Sequence, residues 1–314
     1  MRGVLCLGNI VFDVLVRPVT ELRWNTTSWV DSIRHTMGGN GANTAYALAV
    51  LGTPVRLLGW VGTDAAGAAL LERLSRAGVE TDFVRRVNAP TATTVSLVNE
   101  QGDRFLLHAP GVSLEAFREP PELAGPLVRG IGHVHLANLF AIPGLRRHGP
   151  AMLRWARQAG LRTSLDTGWD QHDRWMRDLE PALPWSDLVF VNREETLALT
   201  GTADLPEAAR AFTARGARTI VFKLGAEGCA LWHDGRLVRV PAFEVPVADT
   251  TGAGDCFAGA FLAALARGLR WEEAARFANA AAALTVAELG ATEGLRSWDE
   301  VQRWMRTARP RAAG

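Results

Sequence analysis

An α/β fold, a mostly parallel sheet between helices with a small β-sheet lid, is what this 314-residue sequence predicts. Three observations carry that expectation. Short apolar runs rich in β-formers alternate with longer helical patterns through most of the chain, as a parallel sheet covered on both faces requires. Two stretches break this rhythm and read as strands joined by turns. Two glycine-rich loops, far apart in the chain, each lead into a helix.

The strands of the expected core are Val4–Leu7, Val55–Trp60, Val134–Leu136, Arg162–Leu165, Leu188–Val191 and Thr219–Lys223. Helices are expected at Asn40–Leu51, Ala66–Ala77, Gly149–Ala159, Glu194–Thr200 and Leu205–Ala214, and from Asp255 through the apolar run CFAGAFLAALARGL. Thr93–His108 reads as a hairpin turning at Glu100–Asp103 with Gly102 in the turn. Val14–Met37 is rich in Trp and Thr and supplies further strands. One domain over 1–314 is expected, with its core in 1–13, 38–92 and 109–310 and its lid in 14–37 and 93–108. In such sheets, ligands bind beyond the carboxyl ends of the strands.

Composition narrows the function. The chain is 48% hydrophobic and 21% charged, which excludes disordered and fibrous classes. A formal charge of +1 without a dense Lys/Arg tract gives no nucleic-acid footprint. Three scattered cysteines, Cys6, Cys229 and Cys256, make neither a disulfide framework nor a zinc site. No run of about 18 apolar residues offers a membrane span, and the expected location is the cytoplasm. His133 and His135 flank Val134 with no third ligand beside them and are expected to be structural, as are Trp155, Trp175 and Trp185.

The strongest chemical signal is Asp249-Thr-Thr-Gly-Ala-Gly-Asp255 before the apolar helix. Unpaired N–H groups and the positive end of a helix make an anion site, and glycines let a phosphate come close. Asp255 would repel a phosphate, but it suits a base that takes a proton from an attacking hydroxyl. Taken alone, the stretch could equally be a glycine turn with an N-capping aspartate. A second loop, Gly38-Gly-Asn-Gly-Ala-Asn43, opens the helix through Leu51.

Together these two loops resemble the two signature regions of the PfkB carbohydrate-kinase (ribokinase) family. Four more stretches resemble the family in the same order. They are Gly8-Asn-Ile-Val-Phe-Asp13, Gly59–Gly67 (GWVGTDAAG), Asn192-Arg-Glu-Glu195 and Lys223–Gly228 (KLGAEG), with Asn279 and its following alanines as a late helix. The resemblance implies a ribokinase-like, Rossmann-type core, ATP and Mg²⁺ use, and phosphoryl transfer to an alcohol. It implies Asp255 as base, with Gly252, Ala253 and Gly254 as the anion hole. Asp13, Gly39, Asn40 and Asn43 would meet the acceptor, with Asn138 added because it follows a strand end. Asn192, Lys223, Gly225, Gly228 and Asn279 would line the ATP site, and Glu195 would organise Mg²⁺ through water. Asp249, Thr251, Thr285, Glu288 and Gly290 match positions that hold K⁺ in relatives, and relatives often pair their lids in homodimers.

The departures also carry expectations. Asn40 stands where many members have lysine, which disfavours an already phosphorylated acceptor. Lys223 replaces a small hydroxyl residue, and either reaches a phosphate or projects to solvent. Gly168 and Asp170 replace residues that contact nucleotide phosphates, and Gly294 replaces a serine. The same resemblance covers purine-nucleoside kinases, for which Phe12, Trp24, Trp29 or Phe105 could form a base slot. A sensor that kept the fold without catalysis is the alternative outside enzymes.

Overall fold

The computed structural model describes residues 1–101 and 103–311. The main sheet has eight strands in the order β14-β13-β12-β11-β10-β9-β1-β4. Its strands are β1 (Gly3–Leu7), β4 (Val55–Leu58), β9 (Ile131–Leu136), β10 (Arg162–Asp166), β11 (Leu188–Asn192), β12 (Thr219–Lys223), β13 (Cys229–His233) and β14 (Arg236–Val240). The six strands from β12 to β4 run parallel, and β13 and β14 close one edge as an antiparallel hairpin. That edge hairpin was not among the expected strands, because its alternation is broken by exposed arginines at 236 and 239.

Helices cover the sheet: α1 (Asn40–Val50), α2 (Ala65–Arg76), α3 (Pro143–Gln158), α4 (Met176–Leu179), α5 (Arg193–Thr200), α6 (Leu205–Thr213), α7 (Ala253–Ala266), α8 (Trp271–Val286) and α9 (Trp298–Thr307). One apolar cluster joins α1, α7 and α8 to one face, and a second joins α3 and α6 to the other. Trp155, Trp175 and Trp185 pack on this second cluster, as expected. Helix α3 begins six residues before its expected start. Pro143 suits a first turn, where its missing N–H costs nothing. Pro150 lies within the helix, and buried Leu145, Met152, Leu153 and Ala156 hold both halves against the sheet.

The lid is a second sheet in the order β3-β2-β7-β8, made of β2 (Val11–Arg17), β3 (Ser32–Gly38), β7 (Thr93–Val98) and β8 (Arg104–Ala109). It takes in residues 11–13, so Asp13 stands on a lid strand beside Thr36 and Thr94. The expected turn residue Gly102 lies outside the described residues. The run Val55–Trp60 is two strands rather than one. At Gly59 the chain passes so close to Gly8 that an added Cβ would sit 2.8 Å from its carbonyl oxygen. From there β5 (Trp60–Gly62) leaves the main sheet and pairs with β6 (Arg85–Val87). Among the described residues no helix is long and apolar enough to cross a membrane.

Candidate active site

Both glycine-rich loops end at helix starts beside the same cleft. Gly252 precedes α7 with φ +70°, and Gly39 precedes α1 with φ +91°, a backbone region that L side chains avoid. The space is closed as well. A Cβ on Gly252 would meet the Ala291 carbonyl at 2.4 Å, and one on Gly39 would meet the Asn9 carbonyl at 2.7 Å. Helices α1 and α7 then cross in close contact, because Gly259 of α7 leaves only 2.7 Å between an added Cβ and the Ala47 methyl.

That crossing places Asp255, in the first turn of α7, against two amides of α1. Asn40 donates through Nδ2 to Oδ1 at 2.8 Å, and Asn43 donates through Nδ2 to Oδ2 at 2.9 Å. A carboxylate only accepts, so both amides turn their NH₂ groups towards it. Asn43 Oδ1 is left buried without a protein partner, an acceptor suited to a ligand hydroxyl. Asn40 Oδ1 accepts from Asn138 Nδ2 at 3.0 Å, while Asn138 Oδ1 accepts the N–H groups of Phe140 and Ala141. The two α1 asparagines, expected as sugar ligands, are thus first the holders of Asp255. Burial pushes the Asp255 carboxyl upward, and the hydrogen bonds of Asn40 and Asn43 with the Lys223 charge oppose this.

Asp13 enters the cleft from the lid. Its carboxylate crosses Gly38, where an added Cβ would fall 1.9 Å from Oδ2. Burial, with Asp255 and Asp249 nearby, pushes Asp13 up to about 6, against a hydrogen bond from Thr94. Val11, Asp13 and Leu15 of β2, Thr94 and Ser96 of β7, and Arg104, Leu106 and His108 of β8 all line the cleft. These are alternate residues, so one face of the lid is the cleft's roof.

Lys223 at the end of β12 is half-buried and paired with Asp166 of β10, Nζ to Oδ2 at 2.6 Å. A Cβ on Gly254 would come 3.3 Å from that ammonium. Lys223 therefore reaches the glycine loop rather than solvent. Burial pushes Asp166 up to about 7, helped by Glu195 and Asp255, whereas these acids keep Lys223 protonated. Glu195 is buried at the start of α5. Its Oε2 accepts from Thr167 Oγ1 at 2.8 Å and from the Asn192 N–H at 2.9 Å, and Asn192 Oδ1 caps the Glu195 N–H. Both side-chain bonds fall on one oxygen, so Oε1 remains for a water on a hard cation. Gly225 and Gly228 form the turn between β12 and β13 at φ +58° and +94°.

Asn279 differs from its expected role. Both hydrogens of its buried amide go to the Val240 and Pro241 carbonyls, at 3.0 and 3.1 Å, so its donors tie α8 to the end of β14. Of the five cation positions, Asp249 and Gly290 are joined by an N–H···Oδ2 bond of 3.0 Å. The Thr285 side chain bonds back to Ala281 and the Glu288 side chain pairs with Arg296, whereas the cation ligands implied for these positions are backbone carbonyls. Gly294 has no room for the serine of relatives, since a Cβ would lie 2.1 Å from the Leu284 carbonyl. His133 and His135 share one strand face and both meet Ser164 Oγ, at 2.6 and 2.8 Å. Burial holds both well below the usual histidine range.

Three contributors lie outside the expected site residues, although Asp170 already stands among the departures noted in the sequence. Arg104 crosses from the lid to the Asp249–Asp255 loop, donating to Thr250 Oγ1 at 2.6 Å and to Thr251 Oγ1. Asp166 partners Lys223. Asp170 is fully buried, accepting from Arg146 at 2.6 Å and from the N–H groups of His172, Arg174 and Trp175. The only sequence signal for these was their place at strand ends or in a hairpin. None of Phe12, Trp24, Trp29 and Phe105 lines the cleft, and Trp24 and Trp29 are more than nine-tenths exposed.

A profile of the pfkB family of carbohydrate kinases matches residues 1–298. The chain belongs to the pfkB carbohydrate-kinase family. It is 33% identical over 298 residues to an ATP-dependent ribose-1-phosphate kinase of Halopiger xanaduensis, covering 93% of this chain and 94% of that protein. Ribokinase of Bacillus subtilis is 30% identical over 322 residues, covering 96% and 99%. The structure of Arabidopsis thaliana ribokinase complexed with ribose and ATP superposes with a TM-score of 0.85 at 28% identity, covering 97% of this chain and 99% of that one. The fold is ribokinase-like, and the pfkB chain is a phosphotransferase with an alcohol group as acceptor.

Proposed function

We propose that this kinase transfers the γ-phosphoryl group of ATP to a hydroxyl of a monosaccharide or sugar acid, with Asp255 as the general base. The observation that carries this reading is the position of Asp255. It lies at the start of α7, one residue beyond the Gly252–Gly254 turn, held by two amide donors and facing a cleft that Asp13 also enters. The hydroxyl to be phosphorylated sits between Asp255 and the first-turn N–H groups of α7, which have no helical acceptors. Asp255 takes its proton as the oxygen attacks phosphorus, and those N–H groups with Lys223 receive the negative charge of the transferring group. Asp13 and Asn43 Oδ1 accept hydrogen bonds from the acceptor's other hydroxyls. Asn192, Gly225 and Gly228 border the nucleotide. Glu195 would hold Mg²⁺ through a water, and the ion would neutralise phosphate charge when bound. A screen of ADP release across pentoses, hexoses, sugar acids and nucleosides tests the reading. No release with any sugar, in a protein that binds ATP, overturns it.

Two finer points belong to the same proposal. Asp249 and Gly290 border a K⁺ site beside the anion loop, so turnover rises with K⁺ at constant ionic strength. Equal turnover with and without K⁺ removes the site. The outer face of the lid, with Ile33, Phe105 and Leu107 each more than half exposed, pairs two copies of the chain. Light scattering then gives a dimer for the wild type and a monomer for Phe105→Lys/Leu107→Lys. A monomeric wild type at micromolar concentration rejects the dimer.

A further inference from the structure

The cleft beside Asp255 measures about 1630 Å³, well above the roughly 300–1,000 Å³ of an ordinary small-molecule site. Nucleotide binding does not account for the surplus, since none of Asn192, Gly225 and Gly228 is in its lining. The extra room runs along one face of α3. Pro143, Arg146, Arg147, Pro150, Ala151 and Arg154, which recur every three or four residues as on one helix face, line it, a stripe about 16 Å long at 1.5 Å per residue.

The charge of this annex is one-sided. Six arginines line the cleft. Three of them have acids: Arg104 meets Asp249, Arg146 meets Asp170 and Asp178, and Arg174 meets Asp178. Arg147, Arg154 and Arg177 are exposed and have no acidic partner among the described residues. Local acids do not neutralise them, because Asp170 and Asp178 are already held by Arg146 and Arg174. The loop that leads into α4, which carries Arg177, is wrapped around the buried Asp170 carboxylate by three backbone N–H bonds. Trp169, more than half exposed, lines the same cleft and stands edge-on to Trp175 at 4.8 Å.

We infer that the annex is an anion subsite for the acceptor: the molecule phosphorylated here carries a negatively charged group, a phosphate ester or a carboxylate, on the side away from the reacting hydroxyl. This rests on the kinase reading above and narrows it. Asn40 removes a positive charge from the Gly38–Asn43 loop, and Arg147 and Arg177 supply positive charge elsewhere in the same cleft lining. Guanidinium groups suit either anion, since both present paired oxygens to the planar fork.

The test compares a neutral pentose with its aldonic acid and with its phosphate esters, in the wild type and in Arg147→Ala/Arg177→Ala. The wild type turns over one charged class with a kcat/KM about 10- to 100-fold above the neutral sugar, the range of a charge-assisted hydrogen bond. Which class leads separates carboxylate from phosphate. The double variant loses that preference while its rate on the neutral sugar stays as in the wild type. Inorganic phosphate inhibits competitively against the acceptor and not against ATP. If wild type and variant treat charged and neutral acceptors alike, the anion subsite is wrong and the kinase reading stands. If neither class is phosphorylated, the kinase reading itself fails.

Discussion

The two glycine-rich loops are built alike and do opposite things. Each has a glycine in the left-handed region just before a helix, Gly39 for α1 and Gly252 for α7, and each is closed in by a backbone carbonyl. The first turn of α1 then offers amide donors, Asn40 and Asn43, whereas that of α7 offers a carboxylate, Asp255. The backbone provides a positively biased helix end in both places. Side chains decide whether that end cradles an anion directly or holds the acid that works beside it.

The largest expected effect comes from removing the acid. Asp255→Asn lowers kcat by about 10²–10⁴-fold, the usual contribution of a positioned base, with ATP affinity by calorimetry unchanged. Retention of more than a third of wild-type kcat would return Asp255 to the role of a helix cap.

Next comes the α1 side. Asn43→Ala removes a hydrogen bond to a charged group, so kcat falls about 10- to 150-fold, corresponding to roughly 1.5–3 kcal/mol. Because that bond holds the Asp255 carboxyl down, its loss also moves the acidic limb of the pH–rate profile to higher pH. An unmoved limb means that α1 does not tune the base. The glycines sharpen the contrast further. A Cβ at either position costs about 1–3 kcal/mol of backbone strain. Gly252→Ala should lower kcat, and Gly39→Ala should raise the acceptor KM, each by about 5- to 150-fold on that scale. Identical kinetic signatures would erase the distinction between the loops.

A pH dependence separates the acceptor side from the nucleotide side. Burial pushes the Asp13 carboxyl up to about 6. Its charged form accepts hydroxyl hydrogen bonds and its protonated form accepts them weakly, so acceptor KM rises as pH falls through 6 while ATP KM does not. Asp13→Asn flattens this dependence, and an ATP KM that follows the same curve would move Asp13 to the nucleotide side.

The smallest effect belongs to Arg104. Its partly exposed contact with the Thr250–Thr251 turn is worth about 1 kcal/mol or less. Arg104→Ala should raise the ratio of ATP hydrolysis to sugar phosphorylation by a few-fold, because a looser roof admits water. An unchanged ratio would make the contact incidental.

Much of this was legible in the residues. Glycines before helix starts, Asp255 after its turn, the Asn192–Glu195 stretch and the strand–helix alternation are local features, fixed within a few positions of chain. The broken run at Gly59 and the early start of α3 were less legible, because close backbone packing and the burial of Leu145 depend on distant partners. The site's connections were hidden for the same reason. Asn43 and Asp255 lie 212 residues apart in the chain, and nothing near either residue announces the other. Their bond exists because Gly259 lets α7 settle onto α1 at Ala47, and Lys223 meets Asp166 because β12 and β10 flank β11. The sequence by itself determined which backbone positions could turn left-handed, where helices could begin and which side chains could act as acid or cation. Only the packing of helices and the order of strands decided which of those groups would share a charge, since a hydrogen bond of 3 Å is set by contact in space.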